Sequence, residues 1–286
     1  MTPYLRGILC MLGAVAAFSF MDAGLKALSA HYGAMQVAAL RGLASWPLIV
    51  LWSVANGGVG QLVRVRWPLH LLRGALSVAM LSSFAYALRY LPMTEAYSLF
   101  FVAPLMITAL AGPMLGERVG WRRWVAIGVG LGGTLVILRP SGEGMLSLGG
   151  AAVLVSAASY SISAITGRIL GRTDSTPAMM FWMITLLCVF ATASALPDWK
   201  PVLAQDVWLL VGVGLSGTLG LYGITEAFRL TPASVAAPLE YTALAWGLLF
   251  DWLFWSTLPE ARMVTGAAII VIAGLYLLKG DRGHEG

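Results

Sequence analysis

The chain has 286 residues, of which 59% are hydrophobic and 11% charged, and its net charge is +5. Soluble domains carry roughly a quarter charged residues, and a water-soluble globule would have nowhere to put this much apolar surface, so lipid is the expected solvent. Nucleic acid is excluded as a partner, because lysines and arginines stand singly or in pairs between apolar runs and form no patch.

Segments of about 20 apolar residues match a hydrocarbon core roughly 30 Å thick at a helical rise near 1.5 Å per residue. Ten such segments are predicted, at about 6–28, 35–55, 68–90, 94–115, 121–138, 146–170, 177–196, 206–229, 233–255 and 260–279. Segment 1 occupies the position of a signal peptide, yet its counterpart after Gly149 implies that it is retained. It carries Phe18, with Asp22 one turn later and Lys26 one turn beyond. Segment 2 carries Arg41 at a depth equal to that of Asp22. An ionisable group at that depth costs several kcal/mol unless paired or hydrated. Two readings follow: a structural Asp22–Arg41 ion pair, or a site for a zwitterion with Asp22 facing its amino group. Segment 3 contains Arg73, Ser82, Ser83 and Tyr86. In segment 4, Tyr97 and Phe101 share a face at i, i+4, and Pro104 is expected to bend the helix.

Segment 5 contains GVGLGG, where Gly128 and Gly132 read as a close-packing pair. In segment 6, Tyr160 takes the place of Phe18, and Ser156, Ser159 and Ser163 read as helix-contact residues. Segment 8 holds GVGLSG at Gly212 to Gly217, a dinucleotide-type spacing without the preceding strand that phosphate cradling requires, followed by Tyr222. Segment 9 holds Pro238, a second expected bend, and then Glu240, Tyr241 and Trp246. Glu240 admits three readings: a proton-coupling carboxylate, a partner for Arg73 or Arg168, or a water-facing polar group. Cys10 and Cys188 fall inside apolar runs and read as buried free thiols. No metal-ligand spacing, P-loop or nucleophile elbow is present, so no metal, no cofactor and no enzymatic activity is expected.

The chain repeats itself. Shifted by about 140 residues, Ala87, Arg89, Pro92, Ala96, Leu99 and Ala103 meet identical residues at Ala227, Arg229, Pro232, Ala236, Leu239 and Ala243. If the N-terminus is cytoplasmic, twelve lysines and arginines fall inside and five outside, which the positive-inside rule favours. Trp52, Trp67, Trp121 and Trp124 then form an inner belt, and Trp199, Trp208, Trp252 and Trp255 an outer one; Trp46, Trp182 and Trp246 lie deeper. Because five segments is an odd number, the second half enters the membrane from the opposite side. The expected fold is therefore an all-α integral membrane protein of ten helices in two inverted five-helix repeats, residues 1–140 and 141–286, forming one membrane-embedded unit. Secondary transporters share that architecture, with a substrate site between the halves.

The ten segments, the Arg89–Ala96 run RYLPMTEA, Pro104 and the Gly116-Glu117 pair resemble the EamA-type family of the drug/metabolite transporter superfamily. The second copy departs from the pattern, with Ser256-Thr257 where Gly116-Glu117 would recur. The resemblance implies a central cavity lined by segments 1, 3, 4, 6, 8 and 9 and transport without ATP, and it is nearest to bacterial exporters of aromatic and neutral amino acids. Phe18, Asp22, Tyr86, Tyr97, Phe101, Tyr160, Tyr222, Glu240, Tyr241 and Trp246 are the candidate substrate-binding residues, and Pro104 and Pro238 the candidate hinges. The expected activity is export of small amphipathic metabolites, amino acids above all, across the bacterial inner membrane by alternating access. Both termini are then cytoplasmic, the partners are the substrate and the lipid bilayer, and a homodimer is left open. A drug or nucleoside-like cofactor as substrate is the alternative, with a membrane-embedded enzyme further behind.

Overall fold

The computed structural model describes residues 2–56, 58–87, 90–91, 93–138, 147–256 and 261–281. Arg89, Pro92, Arg139, Gly142 and Thr257, which the repeat and the charge distribution invoke, lie outside them. In lipid every backbone N–H and C=O must be satisfied within the chain, and the described residues are accordingly helical, with no strand. Helix α1 spans Pro3–Leu28 and starts where Thr2 accepts a hydrogen bond from the Leu5 N–H ahead of Pro3. Helix α2 spans Ala34–Ala55 and α3 is a four-residue helix, Gly60–Val63. Helix α4 covers Trp67–Ala87, α5 Met93–Phe100, α6 Ala103–Leu115 and α7 Trp121–Leu138. In the second half, α8 spans Leu148–Leu170, α9 Thr176–Ala195 and α10 Val207–Leu230. They are followed by α11 (Ala233–Ala236), α12 (Thr242–Trp255) and α13 (Ala261–Asp281). Serines cap α8 and α9: Ser147 accepts from the Gly150 N–H and Ser175 from the Ala178 N–H.

Among the described residues, eight helical stretches are long and apolar enough to cross a membrane, two of them composites of α5 with α6 and of α11 with α12. Helix α4 is 21 residues long but is not among the eight; it carries His70, Arg73 and three serines. In α13 the apolar part is Met263–Ala273.

Segments 4 and 9 depart from the expectation of bent but continuous helices. In segment 4 the helix stops at Phe100, turns through Phe101 and Val102, and restarts at Ala103–Pro104. In segment 9, α11 ends after one turn, Ala237–Tyr241 forms a 3₁₀ helix opening on Pro238, and α12 follows. The cause is the same in both. Proline lacks an N–H and clashes with the carbonyl four residues back, so it suits the first turn of a new helix and ends the old one.

Packing crosses the midpoint of the chain. The most extensive helix pairings are α1 with α10, α4 with α8, α7 with α13 and α2 with α9, each joining a helix of the first 140 residues to one of the remainder. Glycines admit these approaches: a methyl on Gly214 would fall 2.6 Å from the Ala44 carbonyl oxygen, and one on Gly223 2.7 Å from that of Cys10. GVGLSG is thus a packing surface. In GVGLGG the contact residues are Gly130, against the Tyr241 ring, and Gly133, against Gly266; Gly128 and Gly132, the pair expected from sequence, have nothing within 4 Å. A packing pair four apart needs both members on the buried face, and this one lies on the exposed face. Cys10 and Cys188 are free thiols, the first half-buried and the second buried.

Candidate functional site

Polar contacts sort the ends of the helices into two groups. At one end, Arg168 pairs with Glu117 at 3.8 Å, and both Glu117 oxygens accept from the start of α11, at the Ala233 and Ser234 N–H groups. Arg123 donates to Ser234 Oγ, and Arg229 pairs with Glu226 at 3.0 Å. Asp174 there accepts from the Arg66 N–H and meets His70 Nε2 at 2.9 Å. Burial alone would push the Asp174 carboxyl up, but bonds from Thr173, Arg66 and His70 together hold it below the usual carboxylate range. At the other end Tyr32 donates to Asp206 at 2.7 Å, His31 Nδ1 lies 3.1 Å from the same oxygen, and Gln36 bonds the backbone of Lys200. Trp182, expected to lie deep, donates instead to the Leu62 carbonyl in α3 and packs on Trp67. A side chain this long reaches the end of the bundle from inside α9.

Between these ends a line of rings crosses the interior. Tyr97 packs on Phe84 with centroids 5.6 Å apart, Phe84 on Phe100 at 5.5 Å, and Phe100 on Tyr160 at 5.7 Å. The Tyr160 hydroxyl then donates to Glu240 Oε1 at 3.0 Å. Phe100 and Glu240 are repeat equivalents, and Tyr160 touches both. Near the Tyr97 end lies Asp22, which interacts electrostatically with Tyr97 and with Arg41. No Asp22–Arg41 contact within 4.0 Å is present among the described residues, and the Arg41 guanidinium sits 5.7 Å from the centroid of Phe18. Gly220 of α10 makes room for the Phe18 ring, since a methyl there would fall 2.7 Å from it.

Asp22 is exposed on the face of α1 opposite Phe20, whose ring meets Phe250 and Phe254. The Phe20 face borders a separate crevice of about 390 Å³ between α1, α10 and α12, lined mostly by apolar groups such as Trp208, Leu209 and Val213. A charged solute finds no anchor there; it finds them on the Asp22 side.

The sequence candidates therefore fall into groups. Phe18, Asp22, Tyr97, Tyr160 and Glu240 belong to the polar and aromatic line. Tyr241 is 1% exposed and donates through its hydroxyl to the Phe101 carbonyl at 2.9 Å while stacking on the Phe101 ring. These two residues tie the break in segment 4 to the break in segment 9. Tyr86 packs on Tyr90 near the end of α4, Trp246 stacks on Phe250, and Tyr222 packs on Trp52 and accepts from Arg6. None of these three joins the line. Pro104 and Pro238 stand at the starts of the segments that follow the two breaks. Glu240 bonds Tyr160 and, among the described residues, neither Arg73 nor Arg168, so of its three readings the arginine pairing is not the one the contacts show: position along a segment does not set the direction in which a helix face points. Phe84 and Phe100 were not singled out from sequence; the signal for Phe84 is its register with Arg73 and Ser77 on α4, and that for Phe100 is its place opposite Glu240 in the repeat. Among the described residues no cluster of three metal-ligating side chains occurs.

Helices from the two halves of the chain pack across one another around buried ionisable groups, an arrangement found in membrane transporters. The profile of the EamA-like transporter family matches residues 5–139 and again 147–279, and the chain belongs to that family. It is 31% identical to a riboflavin transporter of Vibrio cholerae, over 97% of this chain and 94% of that one. It is 26% identical to the pseudopaline exporter CntI of Pseudomonas aeruginosa over 97% of both chains. With an S-adenosylmethionine uptake transporter of Rickettsia prowazekii it shares 27% identity over 98% of this chain and 94% of the relative. A solved crystal structure with 17% identity covers 99% of this chain and 100% of its own, with a TM-score of 0.86; that likeness speaks for the fold alone.

Proposed function

We propose that the chain moves small amphipathic solutes that join a ring to a charged or polar group, aromatic amino acids among them, by alternating access between two inverted five-helix repeats. The observation that carries this reading is the aromatic line from Tyr97 to Tyr160, with Asp22 and Arg41 at one end and Glu240 at the other. Rings stack on such a surface and charged groups settle at its ends. Riboflavin and S-adenosylmethionine, named for two relatives, each join a planar ring to a polar chain. Amino-acid export is thus the narrower form of the reading, and a larger ring-bearing solute is its nearest rival. Direction is not set by fold, because the relatives include an exporter and an uptake transporter.

Support for the inverted arrangement lies in the exchange of partners, α1 with α10 and α8 with α4, and in the breaks at corresponding places in segments 4 and 9. Discontinuous helices meeting near the midplane are a common form of transporter site. The arginine-rich end, where α1 begins, is assigned to the cytoplasm of a bacterial inner membrane, and lipid and solute are the partners required.

Counterflow of labelled phenylalanine, tryptophan, riboflavin and S-adenosylmethionine into proteoliposomes tests the substrate class. Exchange of at least one of these ring-bearing solutes, lost in Tyr160→Ala but not in Trp208→Ala, is expected; exchange of none of them would sink it. Single cysteines at Gly142 and Gly286 should react from opposite sides of the bilayer, and labelling from one side would end the inverted reading.

A further inference from the structure

Arg73 is a buried cation that meets no acid among the described residues. It lies in α4, 8% exposed, and its Nε makes no hydrogen bond among the described residues. Its Nη2 donates only to Met183 Sδ of α9 at 3.1 Å, and thioether sulfur is a weak acceptor. Among the described residues the carboxylates at this end of the bundle are engaged elsewhere: Glu117 with Arg168, Glu226 with Arg229, and Asp174 with His70. Deeper in, Asp22 faces Arg41 and Glu240 holds Tyr160. A guanidinium does not deprotonate in proteins, and a buried charge left unpaired is costly. Among the described residues Arg73 is a buried guanidinium with no carboxylate within 4.0 Å.

Gly167 of α8 lets that helix approach the guanidinium, the position of a missing methyl lying 3.5 Å from Cζ and Nη2, at ordinary contact distance. Arg73, Ser77 and Phe84 follow one another on α4 at intervals of four and seven residues, so they share one stripe of the helix. Phe84 belongs to the aromatic line, and eleven residues separate it from Arg73, about 16 Å along the axis. Arg73 thus stands between the central site and the arginine-rich end.

We propose that Arg73 is a second anchoring point, which receives the carboxylate or phosphate of the transported solute as it passes between the central line and the arginine-rich end. This rests on the transport reading above and adds to it a charge requirement: anionic or zwitterionic solutes are handled differently from their neutral analogues. The bound anion balances a charge that the protein leaves open, and the thioether of Met183 holds the guanidinium in place without neutralising it.

Two measurements test this. The first needs no transport. Met183→Glu puts a carboxylate where the sulfur meets Nη2, and melting in neutral detergent is compared in the presence of Arg73 and in an Arg73→Met background. M183E should melt several degrees higher with Arg73 than expected from its effect in R73M. Equal destabilisation in both backgrounds means that the guanidinium is already compensated, and the proposal falls. The second is counterflow in phosphatidylcholine vesicles of two matched pairs, phenylalanine with phenylalaninamide and riboflavin 5′-phosphate with riboflavin. R73M should raise KM for the anion-bearing member at least roughly tenfold while leaving the other within about twofold; equal changes overturn it. A requirement for phosphatidylglycerol in these vesicles assigns the anion to a lipid headgroup and overturns it as well. If none of the four solutes moves, the ring-bearing substrate class fails, and Arg73 stands or falls on the melting cycle.

Discussion

Glu240 is an acid held inside the bundle by a tyrosine hydroxyl, with no cation within 4.0 Å among the described residues. If it takes up and releases a proton during the cycle, Glu240→Gln keeps solute exchange but removes the response to an imposed proton gradient. Absence of any gradient effect in the unmodified protein would dispose of the coupling role. Asp174 makes a different, testable contribution. Its carboxyl is held below the usual range by three donors, so its stabilising effect is fully present above the unfolded value near 3.9 and is lost as pH falls through the folded value. Melting temperature should therefore drop on acidification below about pH 4, and Asp174→Asn should flatten that drop; an unchanged acid limb would remove the assignment. Residue identities were legible in sequence to an uneven degree. Asp22, Tyr160 and Glu240 stood out as polar groups in apolar runs, and all three lie on the central line. Arg73 was legible only as one of two arginines that Glu240 could pair with, and the contacts show no such pair, since depth is readable from position in a segment whereas azimuth depends on neighbours 100 residues away.

At the scale of the element, the helices were readable because lipid enforces length, and the predicted bounds fall close to the observed ones for α1, α2, α7 and α9. The breaks were not. Proline announced a disturbance in segments 4 and 9, but whether a helix bends or stops depends on what satisfies the freed carbonyls. Here Tyr241 donates to Phe101 and Ser161 donates to Ala103 at 3.2 Å, both from the other half of the chain. The repeated C-terminus of the broken helix shows the same dependence. Gly116 ends α6 at φ 70°, and its equivalent Ser256 adopts φ 52° after α12. Glycine takes that left-handed conformation freely, whereas an L side chain is strained there by about 1 kcal/mol. Ser256→Gly should therefore raise stability by about that amount, read as a higher melting temperature in detergent, while Gly116→Ser should lower it. No gain in the first variant would show that the serine is held by contacts worth as much as the strain.

For the whole molecule, the duplicated sequence was visible but the manner of its assembly was not, because a repeat says nothing about which copy packs on which. The structure shows that α1, α2, α4 and α7 find their broadest contacts on α10, α9, α8 and α13, so neither half resembles a finished domain. That has a bearing on how the protein is made. Helix α1 enters the bilayer when its main docking surface, some 200 residues later in the chain, has not yet been translated. The early helices must wait in lipid, with Asp22, Arg41 and Arg73 unsheltered, until the ribosome delivers the rest. A fragment ending near residue 140 should be captured by membrane quality-control proteases, and supplying the missing portion as a second polypeptide should rescue both pieces together.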